Sequence, residues 1–129
     1  MNLAARFSVV RAAVVGDVML DRYWRGQVER ISPESPVPVV DVDSTDCCLG
    51  GAANVAANVV ALGAGCTLIS IVGDDEAGGL LCELLERSGI QSRVMRSGEI
   101  RTTEKLRIVA RNQQLLRVDF ESRPTHELL

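Results

Sequence analysis

The sequence lacks the excess of positive charge that binding to a polyanion requires. Its 129 residues carry 14 Lys and Arg against 17 Asp and Glu, which gives a formal net charge of -3. A chain with this balance has no electrostatic attraction to a nucleic-acid backbone or to an anionic membrane surface. We therefore expect no nucleic-acid partner and no membrane partner.

Long apolar runs are also missing. No segment approaches the roughly 18 to 20 consecutive apolar residues that a membrane-spanning helix needs. Arg11 interrupts the apolar stretch near the start, and no convincing signal-peptide cleavage site follows it. We expect a cytoplasmic protein.

Histidine is scarce, and the cysteines are not spaced as metal ligands. The single histidine is His126; Cys47 and Cys48 are adjacent, whereas Cys66 and Cys82 are isolated. A zinc site calls for paired spacing such as Cys-x-x-Cys with histidines, and disulfide frameworks are typical of small secreted chains. The spacing predicts free thiols and no metal site.

What remains is the composition of an ordinary globular protein, with 47% hydrophobic and 24% charged residues. This length is enough for one hydrophobic core. No internal repeat, low-complexity tract or linker divides the chain. Residues 1–129 are therefore expected to form one domain or part of one.

The first two thirds of the chain alternate between strand and helix patterns. Two valine- and isoleucine-rich runs predict buried parallel strands, Phe7 to Val15 and Cys66 to Val72. Two segments that each end at a glycine predict helices, Gly50 to Leu62 and Gly73 to Ser88. The alternation indicates the α/β class.

The first predicted helix combines an apolar stripe with two amides. The stripe is expected to be formed by Ala52, Val55, Ala56, Val59 and Leu62. Asn54 and Asn58 lie one turn apart on another face.

Two β-rich regions lie outside this alternation. Residues 23–43 contain three of the four prolines, which confine strands to sheet edges, so this region predicts a peripheral ribbon. Short alternating runs over residues 101–120, separated by a turn at residues 111–113, predict a hairpin. Residues 124–129 begin with Pro124 and predict the first turn of a further helix.

The glycine pair before the first helix is a candidate ligand site. Gly50 and Gly51 let the backbone approach a ligand closely, and a helix N-terminus presents free N-H donors. Asn54, in the first turn, can donate to and accept from a polyol. The alternative interpretation is a tight strand-to-helix turn with solvated asparagines.

Two acids follow the first predicted strand. The segment from Gly16 to Asp21 does not fit the Gly-x-Gly-x-x-Gly loop of dinucleotide-binding proteins. It instead places Asp17 and Asp21 where open α/β sheets bind ligands, and carboxylates accept hydrogen bonds from sugar hydroxyls. The alternative is a pair of turn-forming aspartates.

The late hairpin carries a basic cluster in an acidic chain. Lys105 and Arg107 are two apart, so on a strand they share a face. Ammonium and guanidinium groups suit phosphate esters. The alternative is a solvated edge strand protected by charge.

Together these segments resemble the ribokinase-like (PfkB) carbohydrate kinases. The stretch from Gly50 to Ala56, followed by Gly63 and Gly73, fits the spacing of that family's first signature. Three further stretches look like the kinase domain of heptose-phosphate kinases: Val15 to Trp24, Arg30 to Val40 and Arg111 to Glu121. The resemblance covers nearly the whole chain. It implies the N-terminal part of a Rossmann-type, three-layer α/β fold with a peripheral β lid formed by residues 23–43 and 101–120.

The resemblance also implies an activity. Kinases of this type would use ATP and Mg²⁺ to phosphorylate the anomeric hydroxyl of D-glycero-β-D-manno-heptose 7-phosphate. This reaction is a step toward the ADP-heptose of lipopolysaccharide. Asp21 matches the family's sugar-binding aspartate, and Gly50, Gly51 and Asn54 match its sugar-binding loop. Asp17 is a neighbouring candidate. The substrate's phosphate is assigned to Lys105 and Arg107 by charge.

One family element is missing from the sequence. The second signature, a Gly-Ala-Gly-Asp type run, supplies the anion hole and the catalytic base, and the chain contains no such run. Phosphoryl transfer depends on positioning and charge stabilisation, so we expect no catalytic residue and no nucleotide site in this chain, and no activity from it alone. It would act as a homodimer or with a complementing kinase half. The alternatives are a non-catalytic sugar-phosphate-binding or dimerisation module and a defunct fragment.

Overall fold

The computed structural model describes residues 7–122. Within this range, chain order gives the strands and helices β1 (Arg11–Val15), β2 (Val18–Ile31), β3 (Pro38–Gly51), α1 (Ala52–Ala61), β4 (Gly65–Gly73), α2 (Glu76–Arg87), β5 (Gln91–Ser97), β6 (Thr103–Ala110) and β7 (Gln113–Phe120). The helical turn predicted at residues 124–129, with His126, lies outside the described residues. Neither α1 nor α2 is long and apolar enough to cross a membrane.

The three-stranded sheet has the order β1-β4-β5, and both of its strand pairs are parallel. Its inner face packs against both helices. The buried residues of this core include Leu68 from β4, Ala53 and Ala56 from α1, and Leu81 and Leu85 from α2. The predicted α/β architecture is therefore correct.

Its outer face stays open among residues 7–122. Side chains alternate across a strand, so neighbours of the buried Leu68 point to the other side. Val15 is 72% exposed and Met95 67% exposed, and Ile69, which pairs with Val15, is 41% exposed. The three-stranded sheet and its helices thus form two layers, with the described helices on one face of the sheet.

The four-stranded sheet has the order β3-β2-β6-β7. The long strands β2 and β3 form an antiparallel hairpin, β6 joins β2 in parallel, and β7 pairs antiparallel with β6. The β6–β7 turn has positive φ at Arg111 (50°) and Asn112 (62°), as in the two-residue turns that match strand twist. The ribbon and the hairpin predicted from sequence are both present, and they belong to one sheet.

Three predicted element starts were wrong. The second helix begins at Glu76 rather than Gly73, because Gly73 still pairs with Ser97 as the end of β4. The first strand begins at Arg11 rather than Phe7, because the Phe7 carbonyl accepts a hydrogen bond from Val10 N-H in a turn. The first helix begins at Ala52, because Gly50 and Gly51 still pair with β2 as the end of β3. Gly51, with φ 58° and ψ −135°, then turns the chain into the helix.

The predicted apolar stripe of α1 was right for Ala52, Ala56 and Val59, which belong to the core or pack against it, and wrong for Val55 and Leu62. Ala53 and Ala56 are fully buried, whereas Val55 is 51% and Leu62 57% exposed. The helix thus turns its smallest side chains toward the sheet, which lets the two backbones approach closely. Gly63 and Gly89, both with positive φ, follow the helices as predicted.

Candidate functional site

The two sheets meet at the carboxyl edge of the parallel strands. β1, β4 and β5 end at this edge, and β2 and β6 of the four-stranded sheet begin beside it. A cavity of about 210 Å³ lies between them. Its lining residues are Asp17, Val18, Met19, Ile71, Ile100, Arg101, Thr102, Thr103, Lys105, Glu121 and Ser122.

Asp17 occupies the turn from β1 into β2. Its carbonyl accepts a hydrogen bond from Ala52 N-H at 2.9 Å, which fixes the start of α1, and its side chain lines the cavity. Ser70 Oγ donates to the neighbouring Gly16 carbonyl at 2.7 Å. A Cβ on Gly51 would lie 2.5 Å from the Asp17 carbonyl oxygen. The second glycine of the pair therefore allows the close approach of this turn to the helix.

Asp21 is held over the first glycine of the pair. Gly50 pairs with Met19 across β2 and β3, so it lies diagonally beside Asp21 on the same face. A Cβ on Gly50 would lie 2.7 Å from Asp21 Oδ2 and 2.6 Å from Met19 Cγ. Only a residue without a side chain leaves that carboxylate in place.

Arg107 binds the same carboxylate. Its Nη1 donates to Asp21 Oδ1 at 2.7 Å, and both side chains are about four-fifths buried. This hydrogen bond raises the pKa of Arg107 above its ordinary value. The guanidinium also lies 5.2 Å from the ring centre of Tyr23. Arg107 is thus engaged with Asp21, and it does not line the cavity.

Lys105 lies directly opposite Asp21 in the pairing of β2 with β6, and it lines the cavity. Its Nζ is 3.4 Å from Asp119 Oδ2. Although desolvation opposes the shift, the charges of Arg117 and Lys105 lower the pKa of Asp119 below its ordinary value. Lys105 therefore brings a cation to the cavity with one carboxylate at its side.

Asn54 stands apart from these groups. It is exposed in the first turn of α1, and its carbonyl accepts a hydrogen bond from Asn58 Nδ2 at 3.0 Å. Its side chain is not part of the cavity lining. The structure thus places Asp17 and Lys105 in the cavity and Asp21, Arg107 and Gly50 in one cluster beside it, with Asn54 on the helix beyond the glycine pair.

Sequence reasoning missed Thr102, which lines the cavity, and Asp75, which holds Thr102 by hydrogen bonds. Asp75 caps α2 by accepting from Gly78 N-H at 2.8 Å. It also accepts from Thr102 N-H at 2.9 Å and from Thr102 Oγ1 at 2.7 Å. Although partial burial opposes the shift, these hydrogen bonds lower the pKa of Asp75 below its ordinary value.

The described residues do not supply a ligand set for the Mg²⁺ that the kinase resemblance implies. No group of three or more His, Cys, Asp or Glu side chains in this range could hold a metal ion. The nearest acids have other tasks, since Asp21 binds Arg107 and Asp75 binds Thr102. The four cysteines are free thiols, and burial raises the pKa of Cys66.

Sequence comparison gives close relatives. Residues 10–123 match the model of the pfkB family carbohydrate kinases. The chain is 54% identical over 121 residues to the D-beta-D-heptose 7-phosphate kinase of Bordetella bronchiseptica, covering 94% of this chain and 39% of that protein. It is 53% identical over 116 residues to the bifunctional protein HldE of Pseudomonas savastanoi pv. phaseolicola, covering 90% of this chain and 24% of that protein. The chain thus spans between a quarter and two fifths of these relatives' length.

Solved structures show the same fold. A carbohydrate kinase from Agrobacterium tumefaciens superposes with a TM-score of 0.68 at 21% identity, covering 87% of this chain and 36% of that one. A ribokinase from Thermotoga maritima gives 0.64 at 24% identity, covering 86% and 36%. An Arabidopsis thaliana ribokinase complexed with ribose and ATP gives 0.64 at 18% identity, covering 88% and 35%. The two sheets and their helices are therefore a ribokinase-like arrangement.

Proposed function

The chain belongs to the pfkB family of carbohydrate kinases, and from this premise we propose that it is the sugar-binding part of a heptose 7-phosphate kinase. The reaction is transfer of the ATP γ-phosphate to the anomeric hydroxyl of D-glycero-β-D-manno-heptose 7-phosphate. The observation that carries the proposal is the cavity between the two sheets, because it brings a carboxylate and an ammonium group together at the carboxyl edge.

The sugar end of the substrate binds near the glycine pair. Asp21 uses Oδ1 for Arg107, so Oδ2, which faces Gly50, is the oxygen that accepts a hydrogen bond from a sugar hydroxyl. Asp17 accepts from a second hydroxyl inside the cavity. Gly51 and Asn54 complete this end, through backbone approach and through an amide that both donates and accepts.

The phosphate end binds Lys105. Its ammonium group lines the cavity, and the attraction of a dianionic phosphate competes with the single 3.4 Å contact to Asp119. Arg107 also has a charge that suits the substrate's phosphate. Because it is bound to Asp21, we assign it the task of orienting that carboxylate and of adding positive charge beside the site.

The four-stranded sheet is the lid over the sugar. It contains both segments expected to form one, residues 23–43 in β2 and β3 and residues 101–120 in β6 and β7. Phosphoryl transfer itself needs the base and the anion hole of the Gly-Ala-Gly-Asp run, which this sequence lacks. We therefore assign transfer to the chain acting together with a polypeptide segment that carries this run and the ATP site.

A second candidate function is pairing through the lid. Trp24, Ile108 and Leu116 stand in one row across β2, β6 and β7, and Trp24 and Leu116 are 40% and 54% exposed. An apolar row of this kind fits a second copy or an intact kinase better than a small sugar. A non-catalytic dimerisation module would use this row and leave the cavity empty.

Binding measurements separate the two functions. Calorimetry with D-glycero-β-D-manno-heptose 7-phosphate should show saturable binding by the chain. Asp21→Asn and Lys105→Met should each weaken it by roughly ten-fold or more, because each removes a charge-assisted hydrogen bond. The control is Arg30→Met, which replaces an exposed cation far along β2 by methionine. This variant should bind heptose 7-phosphate as the parent does. Unchanged affinity in both site variants would sink the assignment.

A second arm of this experiment tests transfer. The chain with heptose 7-phosphate, ATP and Mg²⁺ should form no bisphosphate above background. Robust turnover by the chain alone would contradict the assignment of the base to another segment. Self-association that is lost in Trp24→Ser, together with no sugar-phosphate binding, would favour the dimerisation module.

A further inference from the structure

The cavity has two walls that belong to different sheets. Ile71 lies in β4 of the three-stranded sheet, and Asp17 directly follows β1. Thr103 and Lys105 lie in β6 of the four-stranded sheet. The separation of the walls therefore depends on how one sheet is attached to the other, and a residue that fixes this attachment also shapes the site.

Asp75 makes such an attachment. Its two carboxylate oxygens accept from Thr102 N-H, Thr102 Oγ1-H and Gly78 N-H, and Thr102 Oγ1 in turn accepts from Gly73 N-H at 2.9 Å. The last residue of β4, the first turn of α2 and the residue before β6 thus share one hydrogen-bonded cluster. We call Gly73, Asp75, Gly78 and Thr102 the Asp75 clamp.

The clamp is tightly packed. A Cβ on Gly73 would lie 2.5 Å from Asp75 Oδ2, and a Cβ on Gly78 would lie 2.9 Å from Thr102 Oγ1. Thr102 is 2% exposed and is the buried polar residue of the described core. Removing one hydrogen-bonding group of the clamp would leave buried donors or acceptors unsatisfied. The free-energy cost of that is larger than the net contribution of the hydrogen bond itself. The clamp therefore has one low-energy arrangement.

Other attachments leave this one a distinct role. On the β3 side, the Ala52 to Asp17 backbone hydrogen bond joins the sheets. From β2, Arg22 also reaches α2 in an ion pair with Glu76 at 3.6 Å, but the Glu76 side chain is 82% exposed, so this pair contributes little. Val18 and Leu20 of β2 also belong to the buried core that contains Leu81 of α2, so packing holds the β2–β3 side of the four-stranded sheet. The clamp is the hydrogen-bonded tie on the β6 side, and without it that side could shift relative to the three-stranded sheet.

We propose that Asp75 is a positioning residue, which acts through Thr102 to set the separation of Asp17 and Lys105 across the cavity. The affinity for a sugar phosphate depends on that separation, because Asp17 and Lys105 must contact the two ends of the ligand at the same time. The ligand in this inference rests on the proposed function, whereas the effect on the two sheets does not.

The variants are chosen to isolate the clamp. Asp75→Asn and Thr102→Val remove its acceptor and its hydroxyl, and Thr102→Ser keeps the hydroxyl. Asp74→Asn is the matched control, because it removes the same charge from the same helix end, where the Asp74 side chain is 68% exposed and forms an ion pair with the exposed Arg96. Backbone residual dipolar couplings of each chain without ligand report the orientation of each sheet separately.

For the parent chain and for the variants Asp74→Asn and Thr102→Ser, the couplings of both sheets should fit one rigid arrangement. In Asp75→Asn and Thr102→Val, the four-stranded sheet should show reduced or rotated alignment while each sheet stays folded. Heptose 7-phosphate should bind these two variants roughly ten-fold more weakly, the loss expected from one hydrogen-bond network, and Thr102→Ser should restore binding.

The two hypotheses fail separately. A parent chain that does not bind heptose 7-phosphate refutes the proposed ligand, and the couplings still decide the clamp. The inference is overturned if Thr102→Val gives the same couplings as the parent. It is also overturned if Thr102→Ser shows the same changes as Thr102→Val. If Asp75→Asn unfolds, the two Thr102 variants carry the same decision.

Discussion

Gly50 shows how the absence of one side chain can define a binding group. The space that its Cβ would fill is taken by the Asp21 carboxylate and by Met19. Met19 is flexible and can move aside, whereas Asp21 is fixed by Arg107. The residue diagonally beside Asp21 thus controls where that carboxylate points.

Replacing Gly50 by alanine should therefore damage the site more than the fold. We expect Gly50→Ala to displace Asp21 and to weaken binding of heptose 7-phosphate by roughly ten-fold or more, the loss expected from a charge-assisted hydrogen bond, in calorimetry. Gly79→Ala is the matched control. A Cβ there meets no atom within 4 Å, so in a helix it should stabilise the chain by about 0.5–1 kcal/mol with unchanged binding. Equal affinities in both variants would contradict the role of Gly50.

The Asp75 carboxylate should make stability depend on acid pH. Its pKa is lowered in the folded chain, so the folded state binds a proton more weakly than the unfolded state. The stabilisation is complete above the unfolded pKa of about 3.9 and is lost as the pH falls through the lower folded value. The difference in unfolding free energy between the parent and Asp75→Asn should be constant from about pH 5 to 7 and shrink below about pH 4. Urea titrations across this range measure it, and a constant difference at acid pH would refute the assignment.

At the scale of elements, α1 illustrates a limit of periodicity. The predicted stripe included Val55 and Leu62, which are exposed, and omitted Ala53, which is fully buried. Ala53 and Ala56 face the sheet, while the larger Val55 is half exposed. Periodicity located the helix and its end at Gly63, but only the close approach to the sheet, a tertiary property, selects the face.

Substitutions on the two faces of α1 should differ accordingly. Ala56→Leu forces a larger side chain into a packed core and should lower the free energy of unfolding by about 1–3 kcal/mol. Val55→Gln changes an exposed side chain and should stay within about 0.5 kcal/mol of the parent. Chemical denaturation compares them. A larger cost for Val55→Gln would mean that the sequence-based stripe was right.

The four-stranded sheet shows which part of a fold short patterns reveal. The β2–β3 ribbon and the β6–β7 hairpin were predicted from prolines, alternation and a turn. The parallel pairing of β2 with β6, which joins them into one sheet, was not predicted. Local sequence patterns do not indicate which distant strand pairs with a given edge strand. The same holds for the site. Asp17, Asp21 and Lys105 could be named individually, but the Arg107–Asp21 pair and the Asp75–Thr102 contact join residues 86 and 27 positions apart.

At the scale of the whole molecule, the open face of the three-stranded sheet governs solution behaviour. Val15, Ile69 and Met95 form an exposed apolar patch on it among the described residues, and such patches promote association. We expect the chain to self-associate at micromolar concentrations in sedimentation velocity. Met95→Lys should reduce association with little loss of stability, because Met95 is 67% exposed. Lys substitution at Leu115 of the other sheet is the control, and a sharp monomeric parent would contradict the prediction.

The parallel pairing of β2 with β6 has a consequence for the order in which the chain folds. The β2–β3 hairpin joins neighbours in sequence and can form early, whereas Arg107 meets Asp21 across 86 residues, a loop whose closure is slow. The cavity wall that carries Lys105 is therefore among the last parts to assemble during synthesis. A sugar phosphate would bind only chains that have finished folding, and by mass action it would protect them from unfolding.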